Sequence, residues 1–124
     1  MKNPFAGKIA IVTGGASGAA RPLCAEVCRR GSLAIVAVID QVGAARTARD
    51  LTAAGGRAEG LHLDVTDAGR VKQAMGEIAE RHGRLDYIFN NAAATATRGE
   101  LRDITLDPWR RAIDVNLLGA VHGT

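Results

Sequence analysis

The chain has 124 residues, of which 47% are hydrophobic, 23% charged and 3% aromatic, a composition ordinary for a soluble globular domain. This length supports one hydrophobic core rather than two domains. Scattered arginines carry most of the net charge of +3, and they neither cluster nor alternate with aromatic residues, so a nucleic-acid surface is the weaker interpretation. The basic balance suits an anionic ligand, although a solvated arginine surface explains it equally well.

The N-terminus and the cysteines bear on the cellular compartment. The first residues lack the long apolar stretch of a signal peptide, and the longest apolar run, residues 33–39, is too short to span a bilayer. Cys24 and Cys28 lie four apart on a predicted helix and complete no metal-ligand pattern. Two cysteines that need no bridge fit a reducing compartment. We therefore expect a cytoplasmic protein that binds neither metal, membrane nor nucleic acid.

Strands and helices alternate in the first half of the chain. The continuous apolar run Ile9–Val12 predicts a strand covered on both faces. A glycine-rich turn follows, and a helix is predicted over residues 19–31. Residues 33–39 predict a second buried strand, and residues 43–54 a second helix.

The same alternation continues in the second half. Residues 57–63 predict a third strand, and a third helix runs from Asp67, or from Thr66 as its cap, to Gly83. Residues 85–89 predict the fourth strand. An irregular loop over about residues 93–105 leads to a last helix that begins at Asp107. Its predicted apolar stripe comprises Trp109, Ala112, Ile113, Asn116, Leu117 and Ala120.

This alternation determines the expected fold class. Strands separated by helices of this length pair in parallel through right-handed crossovers. The chain is therefore predicted to be one α/β domain over residues 1–124, the N-terminal half of a Rossmann-like doubly wound parallel sheet with strand order 3-2-1-4.

The junction between the first strand and helix predicts a nucleotide site. Gly14 and Gly18 stand where the chain must turn tightly and let its backbone approach a ligand, and only glycine has no Cβ to block it. The turn also brings unpaired amide N–H groups and the positive end of a helix dipole to one point. A strand before the turn and an amphipathic helix after it make a nucleotide site far more plausible than the glycines alone do.

Four segments together resemble the short-chain dehydrogenase/reductase family over essentially the whole chain. Residues 13–20, Thr-Gly-Gly-Ala-Ser-Gly-Ala-Ala, resemble the family's Thr-Gly-x-x-x-Gly-x-Gly turn. Asp64-Val65 matches its adenine-side aspartate, residues 90–93 its Asn-Asn-Ala-Gly segment, and Val115–Leu117 its Val-Asn-Leu pattern. The sequence departs from the family at Ala20 and Ala93, which stand where the family has glycine.

The resemblance implies an oxidoreductase that moves a hydride between a nicotinamide dinucleotide and an alcohol or ketone. It also implies that Asn116 is a catalytic residue that helps to hold a proton-relay water, although the residues alone allow a buried structural asparagine equally well. The residues expected to bind the cofactor are Thr13, Gly14, Ala16, Ser17, Gly18, Ala19, Asp40, Asp64, Val65, Asn91, Ala92 and Ala93.

Two carboxylates leave alternatives open. Asp64 could cap the third helix instead of pairing with adenine, although Thr66 or Asp67 can provide that cap. Asp40 lies 20 residues beyond Ala20, the usual distance for a carboxylate that binds the ribose 2′-hydroxyl. Alignment on Gly31 instead makes Asp40 a carboxylate at the start of the next helix. Few basic residues flank the site, so NAD is favoured over NADP, which is not excluded.

Two hypotheses about function remain. The family's catalytic serine and Tyr-x-x-x-Lys pair have no counterpart in these 124 residues, and Tyr87 lies within the fourth strand. The chain is thus expected to be the cofactor half of a dehydrogenase, truncated before its catalytic segment. The alternative is a non-catalytic module that binds nucleotide or oligomerises. An open fourth-strand edge and a partly uncovered last helix favour a homo-oligomer.

Overall fold

The computed structural model describes residues 3–14, 20–92 and 106–124. Within these residues the strands form one parallel sheet, with β1 at Ile9–Thr13, β2 at Leu33–Val38, β3 at Arg57–His62 and β4 at Tyr87–Phe89. The strand order is β3-β2-β1-β4. This order confirms the predicted Rossmann-like half-sheet.

Helices connect the strands and cover both faces of the sheet. They are α1 at Ala20–Arg29, α2 at Gln41–Ala53 and α3 at Ala68–His82. A final helical segment consists of α4 at Leu106–Ile113, a π-helical turn at Asp114–Leu118 and α5 at Gly119–His122. Each predicted helix is present, with ends displaced by only a few residues.

The two central strands are buried along their whole length because helices cover both sheet faces. Side chains alternate between the faces, so each strand contributes to two apolar layers. Ala10 and Val36 pack with the buried side of α1 and α2. Ile11 and Ile35 pack with the buried side of α3. The sheet thus forms the middle of a three-layer domain.

The cysteines belong to the first of these layers. Cys24 and Cys28 lie on the buried side of α1 and form no disulfide. Burial raises the pKa of the Cys24 thiol to about 11, which keeps it protonated at neutral pH. Among the described residues no group of three or more His, Cys, Asp or Glu side chains is placed to hold a metal ion. None of the helices described has the length and apolar character needed to cross a membrane.

An N-terminal segment closes the amino ends of the strands. The Tyr87 hydroxyl donates a 2.8 Å hydrogen bond to the Pro4 carbonyl, and its ring lies 5.1 Å from that of Phe5. Nearby, the Asp86 carboxylate accepts a 2.9 Å bond from the Ile9 amide and pairs with Arg84. Hydrogen bonds from Arg84 and Ile9 lower the pKa of Asp86 to about 2. Tyr87, which is half-buried, therefore has a structural role at this end of the sheet.

Most of the expected apolar stripe is exposed in the last helical segment. Trp109, Ile113 and Leu117 are exposed, by 40%, 49% and 58%, whereas Val115 and Gly119 are buried. The Gly119 amide donates to the Asp114 carbonyl, a bond of the π-helical turn. This turn holds more residues than an α-helical turn, so it shifts which residues face the sheet. Exposure of Trp109, Ile113 and Leu117 agrees with the expectation that the last helix is partly uncovered.

Candidate functional site

The candidate site lies along the carboxyl ends of the strands. Because the strands are parallel, the segments that follow them meet at one edge of the sheet, where open α/β sheets bind ligands. Thr13-Gly14 ends β1, Asp64-Val65 follows β3, and Asn91-Ala92 follows β4. The structure thus brings together residues that lie almost 80 positions apart in the sequence.

Thr13 joins the ends of β1 and β4. Its side chain is buried, and its hydroxyl oxygen accepts bonds from the backbone amides of Asn91 at 2.9 Å and Ala92 at 3.0 Å. The same hydroxyl donates to the Phe89 carbonyl at 3.3 Å. These contacts make Thr13 a residue that positions the segment after β4. Its expected contact with a cofactor remains a prediction.

Gly14 is required by the protein backbone. Its φ is +67°, and a Cβ there would lie only 2.8 Å from the Ala92 Cα and 3.2 Å from the Ala92 amide nitrogen. Its amide donates a 2.8 Å bond to the Ala37 carbonyl of β2. The absent side chain therefore leaves room for the segment after β4, whereas sequence reasoning had attributed that room to a bound diphosphate.

Asp64 is held by its own loop. Its Oδ1 accepts bonds from the Thr66 amide at 3.0 Å and the Thr66 hydroxyl at 2.7 Å. These bonds lower the pKa of Asp64, so the carboxylate is ionised at neutral pH. The cap of α3 is Asp67, whose Oδ1 accepts from the Arg70 amide at 3.0 Å. Asp67, rather than Asp64, therefore caps α3, which decides between the alternatives that the sequence left open.

Asp40 adopts the helix-start position. It caps α2, and its Oδ1 accepts a 3.1 Å bond from the Val42 amide. It lies two residues beyond Val38, the last residue of β2. A capping carboxylate keeps a second oxygen, so the geometry is compatible with both alternatives raised by the sequence, and contact with a ribose stays a prediction.

Asn116 lies in the π-helical turn. Such turns occur frequently at functional sites. Its side chain is exposed, whereas its neighbour Val115 is buried. The expectation that Asn116 lies within a buried stripe was therefore wrong, and its catalytic role remains a prediction. Five other predicted site residues lie outside the described part of the chain: Ala16, Ser17, Gly18, Ala19 and Ala93.

Three residues in or just after the last helical segment contact this edge and were missed by sequence reasoning. His122 Nδ1 lies 2.7 Å from the Val65 carbonyl oxygen. A Cβ on Gly119 would lie 2.6 Å from Val65 Cγ2, and one on Gly123 would lie 2.0 Å from Asn90 Oδ1. The spacing of Gly119 and Gly123 on one helical face was an available signal of close packing.

Comparison with known proteins identifies the class. The family model for short chain dehydrogenases matches residues 8–124. The chain belongs to the short-chain dehydrogenase/reductase family. It is 34% identical over 119 residues to cis-4-hydroxycyclohexanecarboxylate dehydrogenase of Sinomonas cyclohexanicum, covering 96% of this chain and 47% of that protein. It is 32% identical over 117 residues to meso-2,3-butanediol dehydrogenase of Serratia marcescens, covering 94% and 45%.

Solved structures agree with this assignment. A short chain dehydrogenase/reductase from Burkholderia phymatum in complex with NAD superimposes with a TM-score of 0.90 at 32% identity, covering 99% of this chain and 43% of that one. A metagenomic short-chain oxidoreductase in complex with NADP gives 0.88 at 25% identity, covering 95% and 53%. The chain spans about half the length of the relatives that it matches.

The contacts of Thr13 generate the first prediction. Thr13→Val keeps the shape of the side chain but leaves two backbone amides without their acceptor, which should lower the free energy of unfolding by about 1–3 kcal/mol. Urea unfolding followed by circular dichroism measures this loss. Thr13→Ser keeps the hydroxyl and should lie closer to the unsubstituted chain than Thr13→Val does. Equal stability of the valine variant and the unsubstituted chain would contradict the linking role of Thr13.

Proposed function

We propose that this chain is the dinucleotide-binding part of an oxidoreductase that moves a hydride between a nicotinamide cofactor and an alcohol or ketone. The observation that carries the proposal is the convergence of Gly14, Asp64 and Asn91-Ala92 at one edge of the sheet. The names of the relatives support it, since the two relatives described above are dehydrogenases of hydroxylated carbon compounds.

The residues at this edge suit a nicotinamide dinucleotide. The ionised Asp64 carboxylate has bonds from Thr66 to one oxygen, and its other oxygen can accept from the amino group of adenine. The Val65 amide next to it could donate a hydrogen bond to a ring nitrogen of adenine. At the start of α1, backbone N–H groups favour a diphosphate. Asn91-Ala92 would lie beside the ribose of the nicotinamide.

The preference for NAD over NADP depends on Asp40. A carboxylate at the ribose would accept a bond from the 2′-hydroxyl and repel a 2′-phosphate. One similar structure contains NAD and another contains NADP, so likeness alone leaves the choice open. We propose NAD, because Asp40 is exposed beside the end of β2.

The bound nicotinamide would supply the hydride acceptor or donor, and the chain's own residues would bind and orient it. Asn116, on the exposed side of the π-helical turn, would hold a water for proton transfer. The exposed apolar side chains Trp109, Ile113 and Leu117 support a homo-oligomer. The proposed compartment is the cytoplasm.

A second candidate is a nucleotide-binding module without turnover. The position of Tyr87 favours it for these 124 residues. Tyr87 is the only tyrosine in the sequence, and its hydroxyl donates to the Pro4 carbonyl at the amino ends of the strands. The candidate site lies at the carboxyl ends, so this phenol is at the wrong end of the sheet to exchange a proton with a substrate.

Substitution in the glycine turn tests nucleotide binding. Gly18→Val places a branched side chain where the diphosphate is proposed to contact the backbone, so NAD binding measured by calorimetry should be abolished. Gly76→Val is a matched control, because Gly76 is an exposed glycine of α3 with open space around its Cβ position. The control should bind NAD as the unsubstituted chain does. Undiminished binding by Gly18→Val would contradict the proposed site.

An activity assay separates the two candidates. We expect residues 1–124 to oxidise no secondary alcohol at saturating NAD, because the only phenol lies at the opposite end of the sheet. Nicotinamide absorbance over a panel of alcohols, with highly purified chain, gives the measurement. Turnover that survives purification and disappears in Tyr87→Phe would show that Tyr87 is catalytic after all.

A further inference from the structure

The loop that carries Asp64 is braced on two sides. From within, Thr66 donates two bonds to Asp64 Oδ1, and the Asp67 amide donates a 3.1 Å bond to the Asp64 carbonyl. From outside, the last helical segment contacts Val65, the residue between Asp64 and Thr66. The position of this loop relative to the sheet therefore depends on a helix that lies more than 50 residues further along the chain.

The outer contact has a polar part and an apolar part. His122 Nδ1 lies 2.7 Å from the Val65 carbonyl oxygen. A carbonyl only accepts, so Nδ1 must carry the proton and donate. The Val65 side chain, which is buried, packs against Gly119, where a Cβ would lie 2.6 Å from its Cγ2. Together the two contacts hold Val65 by its backbone and by its side chain.

We infer that His122 is a positioning residue that holds the Asp64–Thr66 loop in place for the adenine end of the dinucleotide. The inference rests on the proposed function, because it assigns the adenine to this loop. The hydrogen bond from His122 fixes the carbonyl of Val65, and the same peptide unit carries the Thr66 amide that donates to Asp64. Loss of the bond lets the loop move. The adenine must then order the loop when it binds, and this cost lowers its affinity.

Binding of the two halves of the cofactor tests this role. His122→Leu removes the donor, and its affinity for AMP should fall by about two- to tenfold, the usual range for one hydrogen bond. Its affinity for nicotinamide mononucleotide should be unchanged, because that half lies at the segment after β4. His122→Asn places an amide donor near the position of Nδ1 and should restore most of the AMP affinity. Titrations followed by NMR measure both ligands.

Two further variants complete the design. His82→Leu is the matched control, because His82 lies at the end of α3 beside Glu59 and should change neither affinity. Gly119→Ala tests the same contact independently, even if His122→Leu does not fold. Its methyl group would overlap Val65, so it should weaken AMP while sparing nicotinamide mononucleotide.

Several results would overturn the inference. If His122→Leu and Gly119→Ala bind AMP as the unsubstituted chain does, the loop does not depend on this contact. If both ligands weaken equally in these variants, the role of His122 is general stability rather than positioning. If the unsubstituted chain binds neither NAD, AMP nor nicotinamide mononucleotide, the proposed function fails, and the inference fails with it. The first two results leave the proposed function intact.

Discussion

The hydrogen bonds of the Thr13 hydroxyl are the interaction on which the rest of this site depends. One buried oxygen accepts from two successive amides after β4 and donates to the last carbonyl of that strand. The adjacent Gly14 allows Ala92 to approach within a distance that no side chain would permit. Since β1 lies between β2 and β4, this junction sets where the central and outer strands end relative to one another. The relative positions of these strand ends determine the shape of the edge that would bind a cofactor.

The two sides of the edge are held by different means. The segment after β4 is tied to β1 by Thr13. The loop after β3 is held by bonds within itself and by His122 and Gly119 of the last helical segment. Because Gly123 also lies against Asn90, one short helical face contacts both sides. A helix packed across the edge can therefore keep two distant loops in register.

Most of the fold was predictable from the sequence, because its signals are local or periodic. The apolar runs that became β1 and β2, the glycines that end α1 and α3, and the alternation of elements all act within a few residues. The approximate positions of Asp64 and Asn91 at strand ends followed from the same pattern. The family resemblance then connected these positions to one chemistry.

The parts that were missed depend on contacts across the fold. The contacts of Thr13 and Gly14 with Ala92 were missed, because a sequence does not show which distant residue lies beside them, and their role in cofactor binding stays a prediction. The exposure of Asn116 was missed, because the π-helical turn changes the periodicity of the last helix and glycines make the close contacts there. The bond from His122 to Val65 joins residues 57 positions apart, and a lone histidine gives no signal of it.

Amide chemical shifts during a titration with NAD test the central claim most directly. In the ¹⁵N-labelled chain, the account predicts saturable shifts at the carboxyl ends of the strands, at Gly14, Asp64–Thr66 and Asn91-Ala92. It predicts unmoved amides at the opposite end, in residues 5–8 and 84–86, which serve as an internal control. Shifts confined to that opposite end or to the outer edge at β3, or no saturable shifts at all, would contradict the assignment of this edge as the cofactor site.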